Sequence, residues 1–490
     1  MRLKKVGGFS LGTLLSRLSG MGREIVFAYL FGSSASMDAF RIAFNIPNLL
    51  RDFFGEGGMN AAFLPIYSSY RSKKGERSAN RYLSSFLLPL IIALLVVVSL
   101  GILFSPQIIS VVARGFIDNP IQFNLAIHLT KIIFPFLLFI SLASVIMGVL
   151  TYFDRFFITG VYPVFFNLSV ILFSFLLYQK FGIIGVAIGV LVGGILQFLF
   201  LTFFLPGEGV RLFKPVWGHP GVLTSIRLIG PIFLAYAATR INVTVTLFLA
   251  SLLPTGSISY LSYAYRIMQL PLGMFGVAVA TVALPELSRK FAKMESQETS
   301  ILSSLRAVFL LSIPSSFLLF SLRIPLIRIL YEHGAFSTMD SLRTASVLLF
   351  YVIGIPFIAG TKVIQNVYFS RRDVKTPMRI SYITMIINIL FAIILMNIMD
   401  EKGLALAVSI GGIFQFCLLI KPYFNMLKKI FIFLFKLILC STLAILPVIY
   451  IEQIFISFIS IIIGSIIFGL IFIGSTYILR IEEICQILKR

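Results

Sequence analysis

Cysteine, histidine and acidic residues are scarce in this chain, and each scarcity removes a class of function. The three cysteines (Cys417, Cys440, Cys485) and three histidines (His128, His219, His333) are too scattered over 490 residues to offer a metal-ligand spacing or a disulfide framework. Neither a Walker-type loop nor a catalytic dyad is present, so the chain does not read as an enzyme and no cofactor is expected. Charged residues make up only 12% of it, about half the share usual in a soluble domain, against 58% hydrophobic residues and a mean hydropathy of +1.00. What remains is an all-α polytopic membrane protein. Its 41 Lys+Arg against 19 Asp+Glu give a net charge of +22, which in a soluble domain would suggest nucleic acid. The long apolar runs leave no room for such a basic domain, so no nucleic acid partner is expected. The basic start, Met1 to Lys5, is followed by Arg17 and Arg23 with no small-residue cleavage pattern, which reads as a retained first helix and not a signal peptide.

Apolar stretches of about 20 residues are the unit of a helical span. Fourteen are expected, near 8–31, 38–68, 83–105, 122–150, 160–178, 182–205, 222–252, 257–287, 302–322, 341–369, 380–398, 403–424, 430–450 and 455–479. An even number places both termini on one side. Basic residues decide which: Arg71, Lys73, Lys74, Arg77, Arg81, Arg211, Lys214, Arg289, Lys290, Lys293, Arg371, Arg372, Lys375, Arg379, Lys428, Lys429, Lys489 and Arg490 fall on the side of the termini. The opposite loops hold only Arg114, Lys180, Arg323, Arg328, Arg343 and Lys402. Both ends are therefore expected in the cytoplasm, and most of the +22 is topology signal.

The hydrophobic text also repeats itself. Gly193-Gly194-Ile195-Leu196-Gln197-Phe198 is echoed 218 residues later by Gly411-Gly412-Ile413-Phe414-Gln415-Phe416. Each motif follows a Gly-led turn, Phe181-Gly182 and Lys402-Gly403, and each preceding span holds an asparagine, Asn167 and Asn388. Ile46-Pro47 and Leu64-Pro65 are echoed by Leu270-Pro271 and Leu284-Pro285 at similar offsets. One repeat thus holds six spans, and because six is even the two copies share an orientation, as in transporters built from parallel repeats. The expected division is an N-lobe over 1–215, a C-lobe over 216–427 and a C-terminal pair of spans over 428–490.

Some charges lie inside spans, where each costs roughly 2.5–3.5 kcal/mol even on a lenient insertion scale and so needs a cavity or a partner. In the first span Gly12, Ser16, Ser19, Gly20 and Arg23 follow helical spacing, with Arg17 at the margin. In the second, Asp38, Arg41, Asn45, Asn48 and Asp52 form a polar stripe with Arg51 beside it, and Pro47, Gly55, Gly57, Gly58 and Pro65 interrupt the helix. The eighth span carries Arg266 and is interrupted by Pro271, Gly273 and Gly276. Broken helices at matching places in two repeats point to a substrate site. Arginine is permanently charged and its planar fork suits phosphate oxygens, so Arg17, Arg23, Arg51 and Arg266 argue for an anionic, phosphate-bearing substrate. The alternative for each of these four is pairing with Glu24, Asp38, Asp52 or Glu56, or snorkelling to the surface, and that is the expectation for Arg41, Lys131, Arg240, Lys362 and Lys436.

Several of these segments belong to longer motifs. Ser16-Arg17-Leu18-Ser19-Gly20-Met21-Gly22-Arg23-Glu24, Phe31-Gly32, Asp38-Ala39-Phe40, Ile46-Pro47-Asn48-Leu49-Leu50-Arg51, Gly55-Glu56-Gly57, Ala62-Phe63-Leu64-Pro65 and Ser262-Tyr263-Ala264-Tyr265-Arg266-Ile267-Met268-Gln269-Leu270-Pro271 resemble the signature of the MurJ (MviN) family of lipid II flippases. The resemblance extends over the whole chain. It implies a fold of the multidrug/oligosaccharidyl-lipid/polysaccharide exporter superfamily, with alternating access moving the undecaprenyl-diphosphate-linked peptidoglycan precursor from the cytoplasmic to the periplasmic leaflet of a bacterial inner membrane. It also implies that Arg17, Arg23, Arg51 and Arg266 are cavity arginines, that Asp38, Asn48, Glu56 and Ser262 are further functional positions, and that the last two spans line a groove for the lipid tail. Lipid II and membrane lipids are the implied partners, acting on a monomer that works beside the cell-wall synthesis machinery. Tyr265 and Arg41 depart from the family pattern. The sodium site of some relatives draws on acids in spans 7, 11 and 12, where this chain offers Asn242, Asn388 and Thr384, so no metal site is expected. Two other readings stay open: a flippase for another polyprenyl-linked saccharide, and a multidrug/cation antiporter of the same fold, which would need interior acids in place of arginines.

Overall fold

The structure is a computed structural model that describes residues 2–54, 58–454, 457–481 and 484, without the side chains of 2–10, 52–54, 58–61, 229–239, 277–278, 427, 453 and 457. Glu56 and Cys485 therefore lie outside the described residues. Every regular element among the described residues is helical, as low charge and long apolar runs demand of a chain that must satisfy its own backbone in lipid.

Two compact units divide the chain, Met1–Gly256 and Ser257–Arg490. The first contains α1 (Arg2–Phe31), α2 (Ala35–Phe54), α3 (Gly58–Lys74), α4 (Glu76–Leu103), α5 (Ser105–Val112), α6 (Pro120–Ile133), α7 (Phe136–Tyr152), α8 (Phe156–Val161), α9 (Pro163–Phe181), α10 (Ile183–Phe203) and α11 (Pro220–Ser251). The second contains α12 (Ser257–Pro271), α13 (Val277–Ala292), α14 (Glu298–Tyr331), α15 (Thr338–Ser370), α16 (Lys375–Ile420), α17 (Phe424–Ile454) and α18 (Ser457–Ile478). The seventh expected span, α11, packs with the first unit, chiefly on α3, so the boundary of compactness falls after the repeat boundary expected at 215/216.

Among the described residues ten segments are long and apolar enough to cross a membrane. The difference from fourteen has visible sources. The second expected span is split into α2 and α3, both too polar or too short to qualify, and two expected spans run together in the 46 residues of α16. Nor is α1 among the ten, and of α11 only Arg240–Ser251 registers, as a shorter apolar helix. Pro47 lies inside α2 and Pro65 inside α3. The interruption expected at Pro271, Gly273 and Gly276 is a five-residue π-helical turn, Leu272–Gly276, between α12 and α13. A proline at the end of α12 has no N–H to give the α-helical ladder, and a wider turn is one way to accommodate that.

The internal repeat reappears as packing within each unit. Gly193 lies against Phe166 of α9 and Gly194 against Phe136 of α7. Gly411 lies against Asn388, and Gly412 against Ile358 of α15. The glutamines repeat as well: Gln197 Nε2 donates to the Tyr162 carbonyl at 3.4 Å, and Gln415 Nε2 donates to Ser381 Oγ at 3.1 Å. Small residues let membrane helices approach closely, which is what this motif does in both copies.

One expectation needs correction. In the first copy the turn residue is Gly182 (φ 52°, ψ −129°), whereas in the second it is Asp400 (φ 50°, ψ −134°) and not Gly403. Gly403 lies within α16 and corresponds instead to Gly185: a Cβ would meet Leu395 at Gly403 and Leu177 at Gly185. Asp400 therefore occupies, without glycine's freedom, a backbone region that costs of order 1–3 kcal/mol. Asp400→Gly is expected to stabilise by about 1 kcal/mol once the added freedom of the unfolded chain is subtracted. Gly403→Ala is expected to destabilise strongly, because the new Cβ would stand 2.2 Å from the Leu395 carbonyl oxygen. Thermal unfolding of both variants in detergent checks the pair of signs.

Candidate substrate site

In the first unit α1, α2 and α9 bring a charged cluster together inside the spans. Arg23 and Glu24 follow one another on α1 and are both buried. Arg23 Nη2 donates to Glu24 Oε1 at 2.8 Å, and its Nη1 donates to Asn167 Oδ1 at 3.2 Å. From α2, Arg41 Nη2 donates to the other carboxylate oxygen, Glu24 Oε2, at 3.2 Å. One carboxylate thus sits between two guanidinium groups. The Arg23 guanidinium also lies 5.5 Å from the ring centroids of both Phe27 and Phe166, where aromatic faces favour a cation. Asn167 Nδ2 completes the network by donating to Ser19 Oγ at 2.9 Å and to the Ser16 carbonyl at 3.2 Å.

The small stripe of α1 proves to be a packing face. A Cβ at Gly12 would stand 2.9 Å from the Gly160 carbonyl carbon at the end of α8, and one at Gly20 would meet Asn167. Ser16 and Ser19 face the same neighbours through Asn167. Arg17 is off this face and exposed, as are Leu14 and Leu18. Arg51 and Asn48 on α2 are half-buried. Asp38 is 2% exposed and its Oδ2 accepts from Gly256 N at 2.6 Å, so this carboxylate is engaged in holding the loop that ends the first unit. Glu56 lies outside the described residues.

In the second unit Ser262 and Arg266 are one helical step of four apart on α12 and share a half-buried face just before the π-helical turn. Ser262 Oγ donates to the Ile258 carbonyl at 2.8 Å, within its own helix. Tyr265 is exposed, with its ring 5.8 Å from that of Tyr351 on α15.

Of the predicted site residues, the first unit brings Arg23 into a cluster, and Asp38 bonds the backbone at Gly256. Glu24 and Arg41 were not among the predicted substrate ligands, and the pairing expected for Arg41 is what the structure shows, with Glu24 as its partner. Glu401 was also missed: it is 3% exposed at the turn in α16 and accepts from Ser257 Oγ at 3.5 Å. Lys436 Nζ donates to the Leu479 carbonyl at 2.7 Å, capping the end of α18.

An all-helical fold with a repeated packing motif, helices interrupted by proline and glycine, and charged side chains clustered inside the spans is the architecture of a membrane transporter. The fold is shared with solved transporters described as members of the MOP superfamily. A solved inward-facing structure of a multidrug resistance MATE family transporter of that superfamily matches 87% of this chain and 99% of its own at a TM-score of 0.70, with 13% identity that carries the fold alone. The chain belongs to the MurJ family of lipid II flippases, whose family model, Lipid II flippase MurJ, matches residues 27–476. A solved structure described as Lipid II flippase MurJ in an inward closed conformation has a TM-score of 0.86 at 30% identity, covering 98% of this chain and 99% of that one. Similar curated relatives are the probable lipid II flippase MurJ of Buchnera aphidicola from Acyrthosiphon pisum, 34% identical over 92% of this chain and 90% of the relative, and that of Vibrio cholerae, 35% identical over 83% and 80%. The chain is a transporter and not an enzyme.

Proposed function

We propose that this protein carries lipid II across the bacterial inner membrane by alternating access, with the diphosphate held by arginines and the polyprenyl tail along α17 and α18. The observation that carries this reading is the Arg23–Glu24–Arg41 cluster on Asn167: two arginine forks converging inside the spans suit the oxygens of an anionic ligand better than the cationic drugs of an antiporter. Arg17, Arg51 and Arg266 are the other proposed phosphate ligands. Asn48, Glu56 and Ser262 are proposed to shape the site around them, and Asp38 to act through the loop at Gly256. The exposed side chains of Phe431, Ile432, Phe435 and Leu446 on α17 offer the apolar surface a lipid tail needs.

Both termini are placed in the cytoplasm, on the distribution of basic residues. The division at 1–215, 216–427 and 428–490 is kept for the transport cycle, since it follows the repeat. The protein is proposed to act as a monomer near the cell-wall synthesis machinery. Moving about two negative charges outward through about 100 mV, inside negative, releases roughly 4–5 kcal/mol, so the membrane potential is the proposed driving force. Proteoliposomes with an imposed potassium diffusion potential test this. Lipid II flipping should accelerate when the potential is negative on the side corresponding to the cytoplasm and slow when it is reversed, and a rate independent of its sign would overturn the proposed driving force.

A further inference from the structure

The connection between α10 and α11 is strapped to the start of α4. Asn80 Nδ2 donates to the Gly209 carbonyl at 2.9 Å, Phe213 N donates to Ser84 Oγ at 2.8 Å, and Val216 N donates to Ser85 Oγ at 2.9 Å. At the far end His219 Nδ1 accepts from Gly221 N at 3.1 Å, and its ring lies 5.2 Å from that of Tyr70 and 5.7 Å from that of Tyr82. Burial, and then the charges of Lys74 and Arg81, lower the pKa of His219, in keeping with an acceptor nitrogen. These bonds fix the backbone of the strap and so fix which side chains it shows.

What it shows is unusual for a water-facing loop. Trp217, the only tryptophan in the chain, is 73% exposed, Leu212 68% and Val216 45%. Arg211 and Lys214 stand exposed between them, and Lys74, Arg77 and Arg81 are exposed on the adjoining ends of α3 and α4. The nearby acids are already engaged, Glu76 with Arg71 and Glu208 with Arg155. The strap follows directly on a segment long and apolar enough to cross a membrane, Ile183–Glu208, and leads into α11; the ends of such segments meet the headgroup layer. Tryptophan concentrates at that level, and clustered Lys and Arg there are drawn to anionic lipid.

We propose that residues 211–217 form a membrane-anchoring strap, in which Trp217, Leu212 and Val216 enter the interfacial zone and Arg211 and Lys214 hold anionic phospholipid headgroups. Apolar groups that emerge at the depth of the headgroups, among charges of one sign, fit a lipid surface better than a soluble protein.

The single tryptophan makes the test direct. The full chain is reconstituted into phosphatidylcholine vesicles with or without phosphatidylglycerol, using lipids brominated near the headgroup, and Trp217 emission is recorded with Trp217→Phe as the blank. We expect emission shifted to the blue, quenched by brominated lipid and protected from acrylamide, with more quenching when phosphatidylglycerol is present. Arg211→Gln combined with Lys214→Gln should reduce that quenching to the phosphatidylcholine level, and salt should do the same to the unmodified chain. An indole open to acrylamide and untouched by brominated lipid overturns the proposal, as does one buried only when soluble protein is added. Quenching indifferent to phosphatidylglycerol and to the double substitution overturns the assignment to anionic headgroups.

Discussion

Replacing Arg23 with alanine is expected to abolish growth of cells depleted of their own lipid II flippase, even where the variant reaches the membrane. The side chain is buried, bonded to Glu24 and Asn167 and held between Phe27 and Phe166. Removing one partner of a buried ion pair typically costs about 3–5 kcal/mol, because the remaining charge is left in a poor solvent. Glu24 would still have Arg41 at 3.2 Å, which places the cost toward the lower end. Loss of growth could then come from weakened folding or from a lost ligand for phosphate, and two variants separate these. Arg23→Ala combined with Glu24→Gln removes the paired charges while leaving Arg41 an amide oxygen to bond, and should recover much of the thermal stability without restoring growth. Arg23→Lys keeps a positive charge but cannot reach Glu24 and Asn167 with one planar fork, so it should retain partial function. A double variant that supports growth would show that Arg23 serves only to neutralise Glu24.

Arg266→Ala should cost nearly as much function with far less stability. Arg266 is half-buried on α12, so its removal leaves a smaller desolvated gap than the loss of Arg23. A hydrogen bond to a charged group is worth roughly 1.5–3 kcal/mol, which corresponds to about a 10- to 150-fold weaker hold on a diphosphate. Arg266→Lys is expected to fall between alanine and the native residue. Ser262→Ala, one step of four away, should slow transport less than Arg266→Ala, since the hydroxyl carries no charge and is bonded to the Ile258 carbonyl. Transport rates in proteoliposomes, beside thermal unfolding of the same preparations, check both the ranking and the separation of function from folding.

The all-helical membrane fold could be read in composition because scarcity of charge and long apolar runs permit little else. The repeat was legible for a physical reason too: Gly193-Gly194 and Gly411-Gly412 stand where helices touch, and each glutamine bonds back to the preceding span. The turn in the second copy was misplaced because glycine is the usual sign of a positive φ, and here an aspartate adopts it while Gly403 serves close packing. In α1 periodicity alone could not tell a cavity face from a packing face, since small residues suit both. Only tertiary contacts put Gly12 on α8 and leave Arg17 exposed. The bond from Gly256 N to Asp38 joins residues 218 apart in sequence, which no local pattern encodes.

Lipid retention by the purified protein, followed by native mass spectrometry, tests the assignment of the arginines to the diphosphate most directly. The unmodified chain should retain lipid II and undecaprenyl diphosphate but release undecaprenol, which has the tail without the phosphates, while Arg266→Ala should lose the preference without losing its fold. Equal retention of undecaprenol and lipid II, unaffected by Arg266→Ala, would contradict the account.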